Sequence, residues 1–396
     1  MEIMKKRIVI AGGGASGLMA AIQAAGEGAS VTVLEHNEKP GKKLNATGNG
    51  KCNLTNLAFL PDAYRGTDPS FAAPALSAFS VQDTIKFFSR LGIYTINKNG
   101  GIYPHSGQAA SVTEVLCMEA KNLGVKIKTK EHVKEVRREQ GIWKTYTEGW
   151  CYESDGVILA NGSNASQISG ADGSGYDLAA KLGHRIIPPL PALTALKCQG
   201  RPFKWDGVRT NGQVTLCLNG IPLKTQQGEL QLTEYGVSGI PVFQISRYAI
   251  RALKEGCEVS LILDFLPEFS MEAMEDFLMA RRKNCPYKTE KELLIGLFPS
   301  KLIQILTSRR NLIEAIKAFP LKVTAGLDFS KAQVCSGGVD TGQVDPFTME
   351  SKLMPGLYFA GELLDIDGTC GGYNLQWAWS SGAAAGRHAG KRKDTP

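Results

Sequence analysis

The run Ile8-Val-Ile-Ala-Gly12-Gly-Gly14-Ala-Ser-Gly17, followed by Val31-Thr-Val-Leu-Glu35, constrains the fold of this chain more than any other stretch. It reads as an apolar strand, a tight glycine turn, an alanine-rich helix beginning near Ser16, and a second strand ending in a carboxylate. Gly12 permits the turn, Gly14 lets backbone approach a pyrophosphate, and Gly17 lets the helix pack close to the first strand. With Ala15 and Ser16 opening the helix, its free N–H groups and positive dipole end face the phosphates. Glu35 stands about 20 residues beyond the glycines, where such folds place an acceptor for ribose hydroxyls, and its charge disfavours a 2′-phosphate. The neighbouring His36 reads as a solvated strand end bordering an adenine.

Composition narrows the class. The 396 residues are 43% hydrophobic and 21% charged, which excludes a disordered or fibrous chain and leaves room for two or three domains. The net charge of +7 is modest and scattered rather than gathered, so of its two readings, an anionic ligand or plain solubility, the second is preferred, and no nucleic-acid partner is expected. Nine cysteines occur singly, with no C-x-x-C pair or metal-ligand spacing, so no metal is expected and a reducing cytoplasm is. Lys5-Lys-Arg7 and the uncharged stretch after it resemble a signal peptide, but the completed strand–helix–strand pattern argues for the nucleotide turn. No other stretch is apolar enough to cross a bilayer, so no membrane anchor is expected.

Beyond Glu35, Lys39 to Asn53 is a glycine, lysine and asparagine-rich loop expected to lie across a ligand. Helical spacing recurs over Val81–Leu91 and Ser111–Leu123, with a loop at Gly101–Gly107 between them. Short strands are expected over Val125–Lys130, Val133–Arg138 and Ile142–Tyr146, and a buried strand over Gly156–Ala160 runs into Asn161-Gly162. The prolines of Ile186–Pro191 suggest a crossing between domains. Strands over Gln213–Leu218 and Glu229–Leu232 then suggest an inserted β-rich domain at 191–265. Helices over Met271–Arg282, Ser300–Leu306 and Asn311–Phe319 suggest a helical subdomain at 266–321. The strand Gly356–Ala360 and helix Asn374–His388 return to the opening pattern. The fold class is therefore α/β: a discontinuous Rossmann-like domain formed by 1–190 and 322–396.

The segment Leu357-Tyr-Phe-Ala-Gly361-Glu-Leu-Leu-Asp-Ile-Asp367-Gly-Thr-Cys-Gly371-Gly-Tyr-Asn-Leu-Gln376 ends a strand with Gly361-Glu362 and opens a helix after two glycines. A reduced isoalloxazine carries negative charge near N1, which a helix N-terminus stabilises. Gly371, Gly372, Tyr373, Asn374 and Leu375 are placed to supply those donors, and the glycines let backbone approach a flat ring.

With this segment the chain resembles the two-dinucleotide-binding-domain flavoproteins, specifically the bacterial BaiN-like and aminoacetone-oxidase-like FAD-dependent oxidoreductases. The resemblance rests on Gly12–Gly17, Gly41–Asn53, Tyr103-Pro104, Leu159–Gly162, Gly173-Ser-Gly175 and Gly361–Gln376, and runs along most of the chain. It implies FAD bound extended, with Glu35 on the adenosine ribose and the backbone of Val133 at the adenine. Lys42, Lys43, Thr47, Gly48, Asn49, Cys52 and Asn53 would lie along the pyrophosphate and flavin. Gly361 and Glu362 would meet phosphate or ribitol, with Asn374 and Leu375 at the pyrimidine edge. Thr47 and Lys51 stand where family members often carry serine and arginine, keeping a hydroxyl and a charge.

No second glycine fingerprint follows a strand, so any NAD(P)H has to visit the open flavin face as a transient donor. Tyr373 and His105 are candidate proton donors; the competing readings are a flavin-edge cap for Tyr373 and a solvated loop residue for His105. Cys52 and Cys370 form a conceivable redox pair, with inert packing favoured. Trp377 and Trp379 are read as packing. The resemblance implies either NAD(P)H-fed reduction of a conjugated C=C bond in a steroid such as a 3-oxo bile acid, or oxidation of a small amino ketone by oxygen with release of H2O2. The first is preferred because the inserted regions are large enough to enclose a bulky apolar small-molecule substrate. A tRNA-acting flavoprotein and a flavin-binding regulator without turnover are the alternatives of other classes.

Overall fold

The strand β1 (Arg7–Ala11), helix α1 (Ala15–Gly26) and strand β2 (Ser30–Glu35) form as the glycine turn dictates, and β1 lies in the middle of a five-stranded parallel sheet. The computed structural model describes residues 5–391 apart from 59, 61 and 201–203. The sheet runs in the order Leu357–Phe359, Gly156–Leu159, β1, β2, Lys126–Thr129. The strand that precedes the C-terminal helix thus lies two places from β1, and their C-terminal ends share one edge. Ligands of open parallel sheets gather at that edge.

The chain divides into two units, residues 1–189 with 334–396, and residues 190–333. In the first, α1 and the C-terminal helix Tyr373–Gly390 pack on each other. A Cβ added at Gly382, Gly386 or Gly390 would fall 2.5, 2.3 or 2.7 Å from the carbonyl oxygens of Ser16, Ala20 and Ala24. Glycine every fourth residue is therefore what lets two backbones approach, and the matched advance makes the helices parallel and in step.

Several local expectations give way to tertiary context. Half of the segment 39–53 is helical: α2 spans Lys42–Gly50, with non-helical Thr47, Gly48 and Asn49 forming a kink inside it. Gly101–Pro104 is a strand rather than a loop, because it pairs with both Thr55–Asn56 and Thr95–Lys98. The proline segment Ile186–Ala192 is also a strand, paired with Val334–Val339.

The second unit is a closed six-stranded barrel together with helices. Its helix Ile240–Lys254, which the pattern reading passed over, buries Val242, Ile245 and Ala249 in the same core as the barrel residues Val214, Leu230 and Leu261. Leu278, Leu302 and Ile316 from the helical segments join that core. The expected separation into a β domain at 191–265 and a helical subdomain at 266–321 thus becomes one body. Nor does the return to the first unit begin at residue 322. Phe319–Gly326 closes the barrel between Leu196–Cys198 and Val259–Asp264, and the first unit resumes at Val334.

Candidate functional site

Each glycine of the opening turn has a distinct physical reason. A Cβ on Gly17 would lie 1.9 Å from the Gly12 carbonyl oxygen, and one on Gly12, at φ +105°, would lie 2.4 Å from that of Ala160. At Gly14 a Cβ would meet nothing within 4 Å: the backbone there borders open space. Gly14 is the N-cap of α1 and offers no side-chain cap, and the first turn, with Ala15 and Ser16, holds no carboxylate. The first N–H groups of α1 are left without side-chain partners, an anion site in waiting.

The C-terminal helix repeats this arrangement. Gly372 is its N-cap at φ +101°, without a side-chain cap and with no acidic residue in the first turn. A Cβ on Gly372 would lie 2.8–2.9 Å from the backbone of Thr55 and from Asn53 Oδ1. Because the two helices advance in step, the C-terminal helix begins eight residues before α1 does along their common direction. At 1.5 Å per residue that offset is about 12 Å. Two uncapped positive helix ends, so spaced, suit a ligand with a pyrophosphate at one place and an electron-rich ring at another.

At the end expected to take an adenosine, Glu35 is buried and accepts hydrogen bonds from Gly13 N, Asn37 N and Asn37 Nδ2, each at 2.8 Å. With Oε1 accepting from both Asn37 groups and Oε2 from Gly13 N alone, Oε2 keeps an acceptor site that a ribose hydroxyl could use. His36 is half-buried rather than solvated, with Nε2 2.7 Å from the Gly170 carbonyl oxygen. Val133 is buried beside His132, whose Nε2 lies 3.1 Å from Asp172. Desolvation pulls the His132 imidazole below its usual pKa, with Asp172 acting against it. Burial raises the Asp172 carboxyl, but hydrogen bonds from Ser174 and the charge of His132 hold it below the usual carboxylate value.

In the middle, Lys43 Nζ and Glu362 Oε2 form an ion pair at 2.5 Å, while Glu362 Oε1 accepts from Ser163 Oγ at 2.7 Å and Cys335 N at 3.0 Å. Lys43 is therefore a partner of Glu362, whereas Lys42 is exposed. Gly361, at φ +74°, leaves room for Ser16 Oγ, which a Cβ would approach to 2.5 Å. Asn161 and Gly162 follow the strand end, and the buried Oδ1 atoms of Asn161 and Asn164 have no hydrogen-bond partner. Ser163, and Ser381, whose Oγ accepts from Gly361 N at 2.9 Å, were not anticipated. Small hydroxyl residues leave no periodic signal.

At the ring end, Gly48, Asn49, Gly50 and Cys52 all have positive φ, so the turn exposes backbone. Thr47 Oγ1 donates to the Leu44 carbonyl at 2.7 Å. Asn53 Oδ1 is buried without a hydrogen-bond partner. Asn374 clamps Gly368 through both amide atoms, at 2.7 and 2.8 Å, and Leu375 packs partly buried against the core. The Tyr373 hydroxyl donates to the Ala58 carbonyl at 2.8 Å, and His105 is exposed beside Tyr94. Desolvation pushes the thiols of both Cys52 and Cys370 up to about 12, so at neutral pH neither is a thiolate that could exchange electrons with a ring. Trp377 and Trp379 are core residues whose Nε1 atoms donate to Gly361 and Leu54 carbonyls. Gln376, unexpected in a buried helix face, joins Thr55, Thr84, Phe79 and Ser380. Among the described residues no cluster of metal-ligating side chains occurs.

FAD fits this cradle. The space at Gly14, the orphaned Asn53, Asn161 and Asn164 oxygens, and the two spaced helix ends match its pyrophosphate, its polar linker and its ring. Comparison with known proteins agrees. The profile of the HI0933-like protein Rossmann domain matches residues 6–388. The chain is 46% identical to the 3-dehydro-bile acid delta(4,6)-reductase of Clostridium scindens, over 98% of this chain and 99% of that protein. It is 32% identical to a ribosomal RNA dihydrouridine synthase of Haemophilus influenzae, over 95% of this chain and 96% of that one. The structure of a 3-ketosteroid delta1-dehydrogenase from Sterolibacterium denitrificans shares the fold at TM-score 0.50 and 13% identity, covering 97% of this chain and 99% of the other. A parallel sheet with an interrupted nucleotide domain, two in-step helix ends and a profile match over nearly the whole length lead to one conclusion: the chain belongs to the HI0933-like Rossmann FAD-binding family and is an FAD-dependent oxidoreductase.

Proposed function

We propose that the protein reduces a carbon–carbon double bond conjugated to a carbonyl in an apolar 3-oxo steroid of the bile-acid type, using NAD(P)H as a transient donor. The observation that carries this reading is the 46% identity, over almost the full length of both chains, to a protein named as a bile-acid reductase. The rRNA relative supports the same reaction type, since dihydrouridine is uridine with two hydrogens added across a double bond conjugated to a carbonyl.

Bound FAD would take a hydride from the nicotinamide and deliver one through N5. The protein's own part is binding and electrostatics. The N-terminus of α1 holds the pyrophosphate, Glu35 the ribose, and Lys43 with Glu362 the region between. The uncapped amides at Gly372 and beyond offset charge that builds on the ring during reduction. With no second nucleotide fingerprint in the sequence, the nicotinamide comes and goes. We also place the protein in the cytoplasm, because its nine cysteines are spread singly with no C-x-x-C pair and no compact disulfide framework; among the described residues no helix is long and apolar enough to cross a membrane.

The test is anaerobic. The purified flavoprotein is mixed with NADH or NADPH and then with a panel of 3-oxo-4-ene steroids. Bleaching of the flavin followed by recovery on adding a steroid supports the reading. Absence of bleaching with both donors overturns the reductase. Recovery with uridine-containing rRNA but with no steroid transfers the activity to nucleic acid, the reading that the 32% relative favours.

A further inference from the structure

Reduction of an enone needs a proton as well as a hydride, and neither candidate that stands out in the sequence is well placed to give one. Tyr373 already donates its hydroxyl proton to a backbone carbonyl, and the nearby Tyr64 hydroxyl donates to the Tyr373 carbonyl. His105 is exposed at the far end of the Gly101–Pro104 strand.

A third phenol is placed differently. Tyr103 is half-buried on that strand, two residues from Gly101 and on the same face. A Cβ on Gly101 would lie 3.0 Å from its ring atom Cε2 and 3.1 Å from Asn53 Nδ2. The missing side chain is what lets the ring lie flat towards Asn53. On its other edge, Cε1 is 3.9 Å from the position of a Cβ on Gly48. Tyr103 is thus wedged between the exposed-backbone turn Gly48–Asn53 and its own strand, and Asn53 in turn touches the N-cap Gly372 of the C-terminal helix. Its hydroxyl has no hydrogen-bond partner among the described residues.

We propose that Tyr103 is the proton donor to the α-carbon of the enone, an assignment that rests on the reductase reading above. The β-carbon takes a hydride, which bound and reduced FAD would supply; the C=C π pair then forms the new C–H bond at the α-carbon and the Tyr103 O–H bond breaks. The products are saturated ketone, oxidised flavin and a phenolate that recovers its proton from water; NAD(P)H reduces the flavin again. Two features suit the phenol to this. Desolvation, with a contribution from Cys52, raises its pKa, so it stays protonated at neutral pH. The Lys98 ammonium lies 5.8 Å from the ring centroid, on hand for the transient phenolate.

The test separates the half-reactions. Tyr103→Phe enzyme is reduced anaerobically with dithionite, then mixed with a 3-oxo-4-ene steroid or with oxygen while the flavin spectrum is followed. Reoxidation by the steroid is expected to slow by at least about 100-fold, the usual contribution of a general acid. FAD content, melting temperature and reoxidation by oxygen stay as in the wild type. Gly101→Ala, which keeps the hydroxyl but displaces the ring, slows the same step by a smaller factor. Steroid reoxidation of Tyr103→Phe at the wild-type rate overturns the assignment and leaves the reductase reading intact. If the wild-type reduced enzyme itself is never reoxidised by a steroid, the reductase reading falls and the assignment with it. If Tyr103→Phe loses FAD, the Gly101→Ala rate decides: unchanged, it overturns the proposal.

Discussion

The two ends of the cofactor cradle are built on opposite principles. The adenosine end is made of side chains already engaged by neighbouring backbone and side chains: Glu35 accepts three hydrogen bonds, His36 reaches the Gly170 carbonyl, and His132 reaches Asp172. The ring end is made of backbone, an uncapped helix and the positive-φ residues Gly48, Asn49, Gly50 and Cys52, with an orphaned amide oxygen on Asn53. Side chains that lock one another hold a nucleoside in one pose. Free backbone donors instead serve a ring whose charge changes during turnover, because fixed dipoles need no reorganisation at the moment of transfer. On the proposed reading, the difference teaches that the first end is built for holding and the second for chemistry.

The largest expected effect comes from breaking the spacing that joins the ends. Gly386→Val drives a side chain into the Ala20 carbonyl, where only backbone can yield. It should destabilise the protein by about 3 kcal/mol, the upper range for overpacking, and lower FAD occupancy at both ends. Chemical denaturation with flavin release as a second probe checks it; a change below about 1 kcal/mol would mean that the helix contact does not set the spacing.

A smaller effect should fall on one end alone. Glu35→Ala removes the buried acceptor of Gly13 N and Asn37 N, and an unsatisfied buried group costs about 1–3 kcal/mol. FAD affinity should drop roughly 10- to 100-fold, while the absorption bands of whatever flavin remains bound keep their positions. Displaced bands would show that the two ends are not independent.

The gentlest probe is pH, which should loosen the ends in opposite directions. At the ring end the Cys52 thiol is raised from 9 to about 12, so its contribution is whole below pH 9 and is lost as the pH climbs from there. At the adenosine end the His132 imidazole is lowered from 6.5, so its contribution is whole above that value and is lost as the pH falls through it. The lowered Asp172 extends the loss further into acid. Hydrogen exchange should therefore quicken near residues 166–173 in acid and near residues 48–53 in alkali. The same segment opening in both directions would remove the distinction.

Much of the holding end is legible in sequence, and less of the chemical end. The Gly12–Gly17 turn and Glu35 lie within one strand–helix–strand unit, so their spacing alone reports their roles. Tyr103 appears in the sequence as a motif residue without a role, because what gives it one is the absence of side chains at Gly48 and Gly101, distant from each other along the chain. Lys43 reads as a phosphate partner until Glu362 is found beside it. Gly101–Pro104 reads as a loop because each strand that makes it a strand is itself short and irregular.

By itself, then, the sequence determined the class of cofactor and the interrupted nucleotide fold, since glycine turns, apolar strands and helix starts obey rules that act over a few residues. Only the tertiary structure decided that α1 and the C-terminal helix run in step, that the β and helical segments of residues 190–333 share one core, and which phenol at the ring end has a hydroxyl without a hydrogen-bond partner among the described residues. Those outcomes depend on contacts between residues tens to hundreds of positions apart, such as Gly48 with Tyr103 and Ser16 with Gly382. Local periodicity carries no record of such pairs, because each partner's own neighbours are compatible with many others.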